Sequence, residues 1–389
     1  MIYLDYAASA PVKPEVEAAI KPYLSQKFGN PSSPHSFGQE ARAAVDQARE
    51  KIALFLNCEP REVIFTSGGT ESDNLAIQGV INASKIKKPH VITSQIEHHA
   101  VLHTIAELEK QGKIEATYVG VDRDGKVSVE EVKAAIKPNT ILISIMYANN
   151  ETGVIQPIRE IGKMIERIKN QKSKLKTLFH TDAVQAAGYL NCDTKYLHID
   201  LLSLSGHKLG APKGIGVLFI KKGTPISPMI FGGVHERNLR AGTENVPGIV
   251  ALGEAVELVK KSESDKIKKL RDYLESEIIK RIPAVKINGD IKNRLPNISN
   301  LSFKNVEGES IILSLDLEGV AVTTGSACTS GTLEPSHVLM AMYHNPIRAH
   351  SSVRFSLGWA TTKEEIDQVI KKLPHIIKRL RVISPFKNR

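Results

Sequence analysis

The chain has 389 residues, 41% hydrophobic and 24% charged, a composition ordinary for a water-soluble globular protein and a length that suits two packed lobes. No stretch is apolar for long enough to cross a bilayer, the first residues lack a secretory signal, and three cysteines do not make a disulfide framework, so a cytoplasmic setting is expected. The net charge of +10 is carried largely on helix faces such as Lys260-Lys261, Lys268-Lys269 and Lys371-Lys372, with acidic neighbours; without a basic stripe interleaved with aromatics, it predicts a solvated surface and no nucleic-acid partner.

Short β-branched runs alternate with helical spacing through the first two-thirds of the chain. Residues 63–67 read as a strand, and a helix follows from Glu71. Residues 91–94 make another strand, followed by Val101, Leu102, Ile105 and Leu108 at helical spacing. The apolar run 141–146 predicts a buried strand, with a helix over 158–168 behind it. Further strand-like runs are 178–182, the segment starting at Leu201, and 216–220. Such alternation predicts an α/β fold whose mainly parallel sheet is covered by helices on both faces.

From about Val246 the pattern changes to one long helix ending near Arg281. A smaller α+β lobe is then expected from 298–303, 310–317, 353–357 and a helix over 363–380, joined by the first dozen residues. The predicted division is a large domain at 14–258 and a small one made of 1–13 and 259–389. The small domain carries a glycine- and serine-rich loop at about 323–333.

Lys208 follows one strand-like run and Asp182 closes another. A lysine and a carboxylate at neighbouring strand ends are what pyridoxal phosphate requires. The amine forms a Schiff base with the aldehyde, and the carboxylate keeps the pyridine nitrogen protonated. Gln185, three residues on, is placed to reach the ring's phenolic oxygen. Gly68-Gly69-Thr70 opens a helix after a strand, so its free amides favour a phosphate, although a plain strand-to-helix turn has the same residues. Ser205 and His207 flank the lysine as further phosphate donors. His98, at a helix start, reads more readily as a surface histidine, and Asn150 follows a buried strand where binding residues gather. Cys58 and Cys192 sit at turn signals and predict no function. Cys328 differs: Gly325, Ser326, Ala327, Thr329, Ser330 and Gly331 around it predict an exposed loop, which suits a thiol that must travel. Arg354, in a β-like run, is suited to clamp a carboxylate, or to a structural role.

Each signal is ambiguous alone; their order is not. The chain resembles the cysteine desulfurases of the aminotransferase class V family over essentially its whole length. The matching segments are Gly-Asn-Pro-Ser-Ser (29–33), Thr-Glu-Ser (70–72), Glu97-His98, Ala-Asn-Asn-Glu-Thr-Gly (148–153) and His-Thr-Asp-Ala-Val-Gln (180–185). Further on they are Ser-Gly-His-Lys (205–208), Arg-Ala-Gly-Thr-Glu-Asn (240–245), Gly-Ser-Ala-Cys-Thr-Ser-Gly (325–331) and Arg-Phe-Ser-Leu-Gly (354–358).

The resemblance implies a fold-type I enzyme with pyridoxal 5'-phosphate as cofactor and L-cysteine as substrate. It makes Lys208 the Schiff-base lysine and proton shuttle, Asp182 the partner of the ring nitrogen, and Gln185 the contact to the ring oxygen. It stacks His98 on the ring, puts Asn150 on the substrate side, and gives the phosphate to Gly69, Thr70, Ser205 and His207. Thr243 would complete that phosphate site from a second subunit, which implies a homodimer. Arg354 would fix the substrate carboxylate and Cys328 would take the sulfur, passing it to an iron–sulfur scaffold or another acceptor, with transient iron–sulfur ligation open. The end of the chain soon after Ser384 lacks the longer tail of the housekeeping iron–sulfur branch and looks closer to the nitrogenase-associated one. A selenocysteine lyase or aminotransferase of the same class is the alternative.

Overall fold

The structure, a computed structural model, describes residues 1–171, 176–325 and 334–384. Its strands are β1 (Ile2–Tyr3), β2 (Val63–Thr66), β3 (His90–Ser94), β4 (Glu115–Val119), β5 (Thr140–Ser144), β6 (Leu178–Asp182), β7 (Leu201–Ser205), β8 (Gly216–Ile220), β9 (Val285–Ile287), β10 (Ile298–Phe303), β11 (Val320–Ala321) and β12 (Ser352–Ser356). The large sheet has the order β2-β8-β7-β6-β5-β3-β4. Apart from edge strand β4, its β-branched and leucine-rich strands are buried on both faces. Leu142 packs into one hydrophobic cluster and its neighbour Ile143 into another, the period-two signature of a sheet covered on both sides.

The pairs β3–β4, β3–β5, β5–β6 and β6–β7 are parallel, whereas β8 runs antiparallel to both β7 and β2. Only the short segment 206–215 joins β7 to β8, too short for a crossover helix, so the chain has to turn back. Because β2 and β7 are both antiparallel to β8, they share a direction. The C-terminal ends of β2, β3, β5, β6 and β7 therefore open on the same edge, where ligands bind in open α/β sheets.

The long helix expected between 246 and 281 is two helices, Val246–Glu257 and Lys261–Arg281. The first is apolar and packs Ile249, Leu252 and Val256 into the large-sheet core. The second places Ile267, Leu274 and Ile278 in a separate core under the sheet β12-β10-β9. The break at 258–260 is where the chain passes between cores, and each helix must aim its apolar stripe at a different one. That second core also takes Ile2 and Leu4, and β1 pairs in parallel with β11. Among the described residues no helix is long and apolar enough to cross a membrane.

Candidate active site

A cavity of about 330 Å3 lies at the C-terminal edge of the large sheet. It is lined by Gly69 after β2, His98 after β3, Asn150 after β5, Asp182 at the end of β6, and Ser205, His207 and Lys208 at and after β7. Thr70, Gln185 and Arg354 line it too, so the structure brings together residues dispersed over most of the chain. Thr243 is exposed and does not line it. Cys328 lies outside the described residues, but Gly325, just before it, reaches the cavity wall.

The Lys208 ammonium donates to the carbonyls of Ala7 (2.6 Å) and Ala8 (2.7 Å), so the N-terminal segment aims the amine. Gln185 Nε2 donates to the same Ala7 carbonyl at 2.9 Å. Asp182 accepts the Val184 N–H at 2.8 Å. Burial pushes its carboxyl up to about 6, against the pull of that amide and of the Lys208 charge. A cation brought to Asp182 would remove that penalty, which is what a protonated ring nitrogen offers.

His98 caps the helix His99–Lys110 by accepting the Ala100 N–H on Nδ1 at 3.1 Å, which puts the proton of the neutral ring on Nε2. Burial, and then the Lys208 charge, bring its pKa down to about 4, so the imidazole is neutral at pH 7. The same two causes, in the same order, with Lys213 added, bring His207 down to about 4.

At the phosphate end, the helix Gly69–Ala83 presents its free amides beside Ser205. A Cβ at Gly69 would meet Val184 Cγ2 at 2.8 Å and Ser205 Cβ at 3.5 Å, so a side chain there would fill the cradle. Arg240 pairs with Glu71 in the first turn of this helix at 2.9 Å. A cradle for an anion, a carboxylate whose pKa burial raises and a lysine amine in the same cavity fit pyridoxal phosphate.

At the opposite end Arg354 is 2% exposed. It donates to the Asn150 carbonyl at 2.7 Å and to Asp5 Oδ1 at 2.8 Å. Its Nε has no hydrogen-bond partner among the described residues. A planar guanidinium fixed on two sides presents a defined edge to a carboxylate.

Two acids that the sequence did not single out as site residues stand behind Asp182. Glu97 is fully buried and accepts the Ser94 hydroxyl (2.5 Å) and the Met146 N–H (3.0 Å) on one oxygen. Burial drives its pKa up to about 8, so it keeps its proton at neutral pH. Asp73, which lines the cavity, is raised well above the usual range, chiefly by burial and then by the Asp182 charge. An acid on the buried face of the helix Gly69–Ala83 was the available signal for Asp73. Cys58 and Cys192 stand apart, each thiol pushed up to about 12 chiefly by burial.

The aminotransferase class-V family model matches residues 2–369. The cysteine desulfurase IscS of Dictyoglomus turgidum is 53% identical over 390 residues, spanning 99% of this chain and 97% of that protein. Among solved structures, a NifS-like protein matches with a TM-score of 0.90 and 37% identity over 97% of this chain and 100% of the other. The structure described as SspA in complex with cysteine matches at a TM-score of 0.81 and 36% identity over 93% of this chain and 100% of that one. The architecture, with its cavity at the parallel strand ends, is that of the fold-type I enzymes. The chain belongs to the class-V aminotransferase family.

Proposed function

We propose that this protein is a pyridoxal-phosphate-dependent cysteine desulfurase, which moves sulfur from L-cysteine to Cys328 and releases L-alanine. The convergence of Lys208, Asp182 and Arg354 on one cavity that Gly325 also reaches carries the reading. The relatives named above, which include cysteine desulfurases, support it.

When bound, the cofactor supplies an electron sink that acidifies the substrate's α-carbon and weakens its Cβ–S bond. Gly69, Thr70, Ser205 and His207 would hold the phosphate, Asp182 would keep the ring nitrogen protonated, and Gln185 would reach the ring oxygen. His98, neutral with Nε2–H, would lie against the ring, and Asn150 would stand on the substrate side. Arg354 fixes the substrate carboxylate, which orients the α-hydrogen toward Lys208, and Lys208 Nζ takes that proton. The Cys328 thiolate then forms a bond to the substrate sulfur as the Cβ–S bond breaks. The electron pair stays on carbon, which is protonated to give alanine, and the sulfur remains as a persulfide.

The proposal extends to a homodimer in which Thr243 of each chain serves the other's phosphate cradle. Exposed Phe28 and Phe37, stacked at 5.6 Å, support it. So do exposed Phe231 and Val234, whose segment is tied to theirs by Arg42 and Glu244 at 2.8 Å. It includes the division into domains at 14–258 and at 1–13 with 259–389, supported by the helix break at 258–260. It includes a reducing, cytoplasmic setting, which the free thiols of Cys58 and Cys192 suit. The acceptor is an iron–sulfur scaffold or another sulfur-accepting protein, and a cluster ligated transiently at Cys328 belongs to the same reading.

Cys328→Ala tests it. The variant should keep the visible absorption of the bound cofactor and lose alanine formation from cysteine. Full activity would turn the assignment toward another class-V reaction, a selenocysteine lyase or an aminotransferase.

A further inference from the structure

Glu151 follows Asn150 directly, yet its side chain turns inward and is 1% exposed. Its Oε2 accepts the Ser336 hydroxyl at 2.5 Å. Ser336 caps the helix His337–Tyr343, its Oγ accepting the Leu339 N–H at 3.1 Å. A serine hydroxyl has a single proton to give, and here it goes to Glu151.

From the other side Gly325 lies flat on the same side chain. A Cβ at that position would meet Glu151 Cγ at 3.2 Å, Cβ at 3.3 Å and Oε2 at 3.4 Å. Its φ of 97° is one that glycine adopts without strain. The Glu151 carboxyl thus accepts from Ser336 and leaves little room for a side chain at 325, and Cys328 lies between those two positions in the sequence.

The Glu151 backbone belongs to the frame that holds Arg354. Its carbonyl accepts from Asn300 Nδ2 at 3.0 Å and its N–H donates to Asn149 Oδ1 at 2.9 Å. Asn300 pairs with Arg354 across β10 and β12, and Arg354 in turn donates to the Asn150 carbonyl. Arg354 also exchanges backbone hydrogen bonds with Thr323, two residues before Gly325. A side chain needed for packing alone would cost less as an apolar one.

We infer that Glu151 is a positioning residue, which fixes both stems of the Cys328 segment to the frame of the substrate-binding arginine. The inference rests on the desulfurase reading. Anchoring both ends keeps the thiol at high effective concentration near the substrate sulfur, and neither cofactor binding nor cysteine binding depends on it.

The test uses the cofactor-loaded full chain, with alanine formation, cysteine KM and visible absorption measured together. Glu151→Ala should lower kcat on the order of tenfold to a hundredfold while KM and absorption stay unchanged. Glu151→Gln, which keeps an acceptor oxygen for Ser336, should recover most of the loss. Ser336→Ala should show the same split more weakly, and supplies the test should Glu151→Ala not fold. The double variant should be no slower than Glu151→Ala alone. Wild-type kcat in Glu151→Ala, parallel loss of absorption, or failure of Gln to rescue would overturn the assignment. A wild-type chain that makes no alanine would overturn the desulfurase reading itself, and this assignment with it.

Discussion

At the floor of the cavity, Asp182 and Ser203 face each other across the parallel pair β6–β7, and Lys208 follows a few residues on. At its rim, Arg354 meets the Asn150 carbonyl and Asp5 across sequence separations of 204 and 349 residues. Hydrogen-bonded register fixes the floor, while the rim depends on how two separately packed cores abut. Damage to the floor should therefore remove the chemistry, and damage to the rim should act mainly on substrate binding.

The largest effect is expected at the floor. Lys208→Ala should cut alanine formation by at least about 10³-fold and abolish the visible cofactor band, as spectroscopy and single-turnover assays would read. Substantial turnover without that amine would break the contrast outright.

Next comes the rim. Arg354→Lys keeps the charge but loses the planar fork, so cysteine KM should rise by about tenfold to a hundredfold with a smaller change in kcat. A fall in kcat alone would place Arg354 with the chemistry and blur the distinction.

A smaller effect concerns the acids beneath the floor. Burial raises the Glu97 carboxyl from the ordinary carboxylate range to about 8, so across that interval the folded chain holds a proton that the unfolded chain has lost. Its contribution to stability is thus present at low pH and declines as pH rises, with a slope of about 1.4 kcal/mol per pH unit. Glu97→Gln should flatten that decline between pH 5 and 8 in denaturant titrations of the cofactor-free chain. An unchanged slope would show that Glu97 is ionised. The least effect is expected away from both regions: Cys58→Ala should leave alanine formation within about twofold of wild type, since a thiol with a pKa near 12 is not a nucleophile.

The floor was legible because its residues lie beside the strands that carry them. The run ending in Lys208 and the run ending in Asp182 each show an apolar segment and a chemical group in one short stretch. Edge strand β4 was missed: its Glu-Ala-Thr-Tyr residues are only half-buried, so no apolar run marks it. The helix break at 258–260 was missed as well, because helical spacing reports an apolar stripe and not which core the stripe faces.

The sequence by itself determined the alternation of strand and helix and the mainly parallel sheet, since both follow from period and neighbourhood. Only the tertiary structure decided that Asp5 and Arg354 form a pair, that Glu97 and Asp73 are buried near Asp182, and that Glu151 accepts from Ser336 while crowding position 325. Those relations depend on burial and on distances between segments far apart in the chain, which local pattern does not encode.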